Sequence, residues 1–220
     1  TPEKPPSILT AMRKILGASV DFGLKNPPVR WMMVSSIFTA SVGFYAFYAL
    51  QPYLLGLYGN TTAYWVAGMA AAIVAGSQII GGVLAGKISN LAERRTTIII
   101  SLTALSCLVL VLLGTVHNFY VALGLVSVWG ITFAAVSPVR QAYMNGMIPS
   151  RQRATVLSFD SLMGNSGGVV VQPALGKAAD VYSYGTSLLL GGILQIAALP
   201  FILASRVRTH PSDRSKTDEK

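Results

Sequence analysis

Six apolar runs dominate this chain, each close to the roughly 20 residues that a helix needs to cross a bilayer. They fall at about 31–57, 63–86, 96–116, 118–139, 154–178 and 184–204. Turn-forming residues punctuate the breaks: Gly59-Asn60, Asn90, His117-Asn118, Pro149-Ser150 and Ser183. The fifth run is the most polar. It holds Asp160, Gly164, Asn165, Gly167 and Gly168, and hydropathy alone scores it poorly. Charged residues make up 11% of the chain, against about 25% in a soluble domain. With mean hydropathy at +0.56, the pattern predicts an all-α membrane protein with six transmembrane helices between residues 30 and 205.

The net charge of +9 raises nucleic acid as a partner, and its placement removes it. The basic residues sit in short gaps between apolar runs, with no stripe of interleaved aromatics. All 17 Lys and Arg except Lys177 fall in the leader, the second and fourth gaps and the tail. Basic residues stay on the cytoplasmic side, so both termini are predicted to be cytoplasmic. Residues 1–29 form a leader with two proline pairs and no cleavable signal pattern. Within it, Ile8, Met12, Ile15 and Leu16 share a helical face beside Arg13 and Lys14, which fits an interfacial helix or a linker. Residues 206–220 read as a solvated, mobile tail. The single cysteine, Cys107, rules out an intrachain disulfide. The chain opens on threonine and reads as a piece of something longer.

The stretch GVLAGKISNLAERR, from Gly82 to Arg95, has an echo ninety residues on in QPALGKAAD, Gln172 to Asp180. Aligning Gly86 with Gly176 also pairs Lys87 with Lys177 and Asn90 with Asp180. A period of this length suits two copies of a three-helix unit. Three spans are an odd number, so the second copy enters the membrane from the opposite side. That is the inverted repeat of secondary transporters.

These features resemble the C-terminal half of a major facilitator superfamily transporter. That family's cytoplasmic signature reads Gly, three residues, Asp, two residues, Gly, then two basic residues. Here it stands as Gly86, Asn90, Glu93, Arg94 and Arg95, with Asn for Asp and Glu for Gly. The segment SPVRQAYMNGMIPSRQRATVLSFDSLMG is similar to the link between the family's tenth and eleventh helices, and QPALGKAAD to the end of the eleventh. Within the family the resemblance leans to bacterial drug or metabolite efflux proteins, which implies an inner (plasma) membrane location. The family has twelve spans in two halves, with substrate between them. Six spans imply either a missing N-terminal half, from the same precursor or a separate chain, or a second copy.

Several residues stand out as candidates for a site. Phe44, Tyr48 and Gln51 recur at i, i+4 and i+7 in the first span, with Tyr45 adjoining. The 15 residues from Arg30 to Tyr45 rise roughly 22 Å, which puts these groups at or beyond the midplane. Pro52 loosens the helix beside them. Tyr45, Tyr48 and Gln51 therefore face a substrate cavity or form an outer aromatic belt; the resemblance makes this span the seventh helix, which lines the cavity. Gln78, Trp129 and Asn165 are further mid-span candidates for substrate binding. Asp160 is the one acid far inside a span, about 10 Å past Arg153, and needs a partner there. Arg140 is the candidate. The pair reads as a gate or coupling group, or as a fixed tie between the fourth and fifth spans. Arg94 and Arg95 set topology and, by resemblance, join the cytoplasmic gate. Gln195, in the last span, reads as satisfying a neighbouring helix.

Small residues at four-residue spacing let helices approach closely in lipid. The second span has Gly68, Ala72, Gly76, Gly82 and Gly86, and the fifth has Gly164 and Gly168. The third and sixth spans, rich in Leu and Ile, read as the lipid-facing pair. No catalytic constellation, metal spacing or cofactor loop is present in the sequence. The expected activity is half of a secondary active transporter that moves a small molecule by alternating access. A six-helix channel and a non-transporting scaffold are the alternatives.

Overall fold

Pro27 and Pro28 open the first helix, where the missing N–H groups cost nothing. The helix runs through Pro52 to Tyr58 (α1, Pro27–Tyr58) and ends on Gly59, whose φ of 79° supplies the left-handed cap. The computed structural model describes residues 17, 20–60, 62–207 and 211–214. Four helices follow α1: α2 (Tyr64–Ser89), α3 (Arg95–Thr115), α4 (Phe119–Asn145) and α5 (Arg153–Val181). The last span divides at Ala197 into α6 (Tyr184–Ile196) and α7 (Ala198–Val207). Asn118 caps α4 by accepting from the amides of Tyr120 and Val121, and Ser183 caps α6 by accepting from Thr186.

The apolar runs mark these helices to within a few residues at most ends. The exception is α4, which continues through Pro138 and the polar sequence after it as far as Asn145. Five stretches among the described residues are long and apolar enough to cross a membrane: α1, α2, α3, α4 and the combined Tyr184–Arg206. At 29 residues α5 has the length, but its polar side chains keep it out of that group. The amphipathic segment Ile8 to Leu24 falls largely outside the described residues. Its last part, Val20–Leu24, is a π-helical turn beside an exposed Lys25–Asp21 ion pair.

The main packing partners are α2 with α4, α1 with α5, and α3 with both α4 and α6. At two seams a glycine admits the neighbouring backbone. A Cβ at Gly81 would overlap the carbonyl oxygen of Ile131 on α4, and one at Gly167 would stand 2.5 Å from that of Ile37 on α1. The spacing argument therefore picks the wrong face of α2. Gly68, Gly76, Gly82 and Gly86 meet nothing within 4 Å, and Ala72 is exposed. The buried face is Val66, Ala70, Val74, Ser77, Gly81 and Ala85. A helix of 3.6 residues per turn keeps these two rows on different sides. On α5, Gly164 does pack against Ala40, joined by Gly167, whereas Gly168 meets only Gln172 of its own helix.

Two apolar clusters fill the bundle. One surrounds Leu50, Leu110, Val126 and Trp129, and the other Met32, Ile99, Tyr143 and Ile202. Between them in the chain numbering of five helices lie buried polar residues: Ser36 and Ser41 on α1, Thr103 and Ser106 on α3, Thr132 on α4, Asp160 on α5 and Gln195 on α6. A polar layer thus divides the core at mid-span.

The tail differs from the solvated end its composition predicts. Pro211–Asp213 form a short 3-10 turn, and buried Asp213 accepts from the Thr96 amide at 2.8 Å and the Thr96 hydroxyl at 2.9 Å. A carboxylate there satisfies orphan donors in the first turn of α3 and meets the positive end of its dipole.

Candidate functional site: a mid-span cavity

The polar layer opens into a cavity of about 540 Å³. Its walls are Ser36, Thr39, Ala40 and Phe44 of α1, Gln78 of α2, and the α4 face from Phe133 to Gln141. Leu157, Asp160, Ser161, Gly164 and Asn165 of α5 complete the front, and Thr103, Ser106 and Gln195 stand at the back. Phe44 and Asn165 are exposed to the open side, and Asp160 is 6% exposed.

Asp160 and Arg140 form a two-pronged ion pair in the wall. Arg140 Nη1 donates to Asp160 Oδ2 at 2.6 Å and Nη2 to Oδ1 at 2.7 Å. Nη2 also donates to the Met32 carbonyl at 2.9 Å, which ties α1 into the pair. The Ser36 hydroxyl lies 3.3 Å from Asp160 Oδ1 and 2.6 Å from the Met33 carbonyl, with one proton between the two. A bidentate guanidinium is the geometry that best offsets desolvation of a carboxylate. Arg140 reaches Asp160 because α4 continues past Pro138; had the helix stopped at the end of its apolar run, the guanidinium would lie outside the bundle.

The predicted site residues divide. Gln78, Asn165, Asp160 and Arg140 line one cavity. Tyr45 does not: its hydroxyl donates toward Ser187 at 2.6 Å and lies 3.1 Å from the Leu175 carbonyl, fastening α1 to α5 and α6. Trp129 is 0% exposed, stacks on Phe133 at 5.1 Å, and belongs to the apolar core. Tyr48 is 66% exposed and packs edge-on against Phe47, and Gln51 is half-buried; neither is in the cavity wall. Arg94 and Arg95 sit in and after the α2–α3 turn. Arg95 donates to the Ser212 carbonyl at 2.9 Å, and Arg94 forms a backbone bridge with Arg214. Both therefore face the tail. The hydroxyls of Ser36, Thr39, Thr103, Ser106, Ser137 and Ser161 went unselected in the sequence because Ser and Thr hide easily in a helix by bonding the preceding turn, as Thr39 does to Ser35. The signal for two of them was a spacing of three residues, Thr103 to Ser106, in the middle of a span that is otherwise rich in Leu and Ile.

A family model described as Major Facilitator Superfamily matches residues 3–172. The chain belongs to the major facilitator superfamily. With its five long apolar helices, this makes it an integral, multi-pass protein of a membrane transporter family. No curated protein matches it. Among solved structures it is similar to the in meso crystal structure of the POT family transporter PepTSo, with a TM-score of 0.67 and 14% identity. The match covers 83% of this chain and 38% of PepTSo. At that identity the likeness concerns the fold, and this facilitator chain spans well under half of the transporter it resembles.

Proposed function

We propose that this chain is one half of a secondary active transporter, working by alternating access on a small drug-like or metabolite molecule, in the direction of efflux. The observation that carries the reading is the mid-span cavity: polar groups from α1, α2, α4 and α5 converge on one open side, in a chain of a transporter family. Cavities with a few placed polar groups in apolar walls are where small molecules bind. In this reading α5 also spans the membrane and brings the count to six, its polar residues turned to the cavity and not to lipid. The residues that repeat in sequence, Gly86–Asn90 and Gly176–Asp180, fall at the ends of α2 and α5, and the α1–α5 and α2–α4 seams exchange under the swap of halves. Both support an inverted three-helix repeat. The charge pattern supports cytoplasmic termini, and an inner membrane fits the efflux reading.

The open side also supports a partner half. Ile79, Ile80 and Val83 of α2 and Leu162, Val169 and Val170 of α5 are all strongly exposed, beside the unused row of Gly68, Ala72 and Gly76. Small residues in lipid suit a close helix partner, whereas Leu105, Leu108 and Leu112 of α3 suit acyl chains. The partner is the N-terminal half or a second copy. Arg140 and Asp160 serve as the coupling or gating pair.

The test is flux in proteoliposomes holding the whole assembly, with a panel of dyes and metabolites under an imposed ion gradient. The expected result is movement of a panel member that collapses when an ionophore dissipates the gradient, and that Asp160→Asn abolishes. Flux indifferent to the gradient would favour a channel and contradict the proposal.

A further inference from the structure

The back wall of the cavity is not explained by its front. Thr103, Ser106 and Gln195 come from α3 and α6, whose outer faces carry Leu108, Leu112, Ile193 and Ile196 toward lipid. Yet all three are at most 5% exposed and all three line the cavity. The cavity places them behind residues of α1 and α4, whose mutual contact is small beside the seams each makes elsewhere.

Their hydrogen bonding is incomplete. Gln195 Nε2 donates to Ser106 Oγ at 3.3 Å. Gln195 Oε1 and Thr103 Oγ1 have no hydrogen-bond partner among the described residues. A buried polar atom left unpaired is costly, and two in the wall of one cavity are ready to bond a guest. No side chain of the recess carries charge. The charges nearest along the wall, Arg140 and Asp160, are bonded to each other.

We propose that this recess, walled by Thr103, Ser106 and Gln195, is a binding subsite for an uncharged group that both donates and accepts a hydrogen bond, a hydroxyl or a primary amide. The group donates to Gln195 Oε1 and exchanges a second bond with the Thr103 hydroxyl. A cation or carboxylate is refused, because nothing in the recess compensates its lost hydration. The subsite rests on the reading of the cavity as a solute site, and selects for solutes with a neutral polar end behind whatever Asp160 and Asn165 meet in front.

The experiment labels single cysteines in the whole assembly in its membrane, on a Cys107→Ala background. Ser106→Cys and Thr103→Cys report the recess, Gln78→Cys the front wall, and Leu108→Cys the lipid face. The probes are 2-hydroxyethyl methanethiosulfonate, neutral and hydroxyl-bearing, and its trimethylammonium counterpart. Only a hydrated thiol reacts well, because the thiolate is the nucleophile. Both probes should label Gln78→Cys. The neutral probe should label Ser106→Cys and Thr103→Cys about tenfold or more faster than it labels Leu108→Cys, and the cation should label neither recess position. Recess cysteines silent to both probes, with Gln78→Cys reactive, would overturn the subsite and leave the cavity reading standing. A cation as fast as the neutral probe at Ser106→Cys would overturn its selectivity. Silence at Gln78→Cys as well would remove the cavity reading and the subsite together. Elution as a single peak confirms that each variant is folded, and the two recess positions guard against failure of either one.

Discussion

The α1–α5 and α2–α4 seams are built alike and loaded differently. Each closes where a glycine, Gly167 or Gly81, lies against the carbonyl of an isoleucine, Ile37 or Ile131. The α2–α4 seam packs small and apolar side chains, with Ser77 and the Val74 carbonyl against Gly130 and Trp129 beside them. The α1–α5 seam carries the bonds: Ser41 to the Gly164 carbonyl at 3.2 Å, Ser36 near Asp160, and the Arg140 pair reaching in from α4. Close approach is thus a property of small residues, while of these two seams the α1–α5 seam holds the ion pair. Helices of both seams line the cavity, and the seam that holds the charges is the candidate for movement or coupling.

The comparison breaks most visibly at the charge. Asp160→Ala leaves Arg140 buried without its partner and should cost about 3–5 kcal/mol, read as loss of the folded peak after mild heating in detergent. The double variant Asp160→Leu with Arg140→Leu should recover most of that stability and no flux, which separates fastening from function. Next come the two glycines. Gly81→Val and Gly167→Val each force a helix off its neighbour and should cost about 1–3 kcal/mol, by similar amounts, in the same heating assay. A large difference between them would show that the seams are not equivalent in packing. Tyr45→Phe removes the bonds to Ser187 and Leu175 and should cost about 1 kcal/mol while flux persists, since the hydroxyl ties helices together outside the cavity. The smallest effect belongs to Gly76→Ala, which meets no neighbour among the described residues. Its stability should rise slightly, by about 0.5 kcal/mol, as alanine replaces a mid-helix glycine, yet assembly with the partner half should weaken if that row is the contact.

Much of the fold is legible in the sequence because membrane spans are written in length and hydropathy. The gaps after Gly59, Asn90 and Asn118 each lie where a helix ends or begins, and the Asp160–Arg140 pair follows from the cost of a lone carboxylate in hydrocarbon. What stays hidden is rotation about each helix axis. Gly68, Ala72 and Gly76 announce a close contact without saying with whom, and Gly81, one residue from the obvious pair, makes the contact inside this chain. Trp129 and Tyr45 face away from the cavity, since facing comes from tertiary packing and not from position along the helix. Asp213 escapes altogether, because a tail carboxylate capping α3 from 117 residues away leaves no local pattern.

The central claim is that this bundle is half of a working transporter. The mass of the particle in mild detergent, with the intact mass of every polypeptide in it, tests that most directly. The account predicts membrane-spanning protein beyond these 220 residues: a longer chain, a second polypeptide of six spans, or a second copy. A stable particle made of a single copy of this 220-residue chain would contradict it.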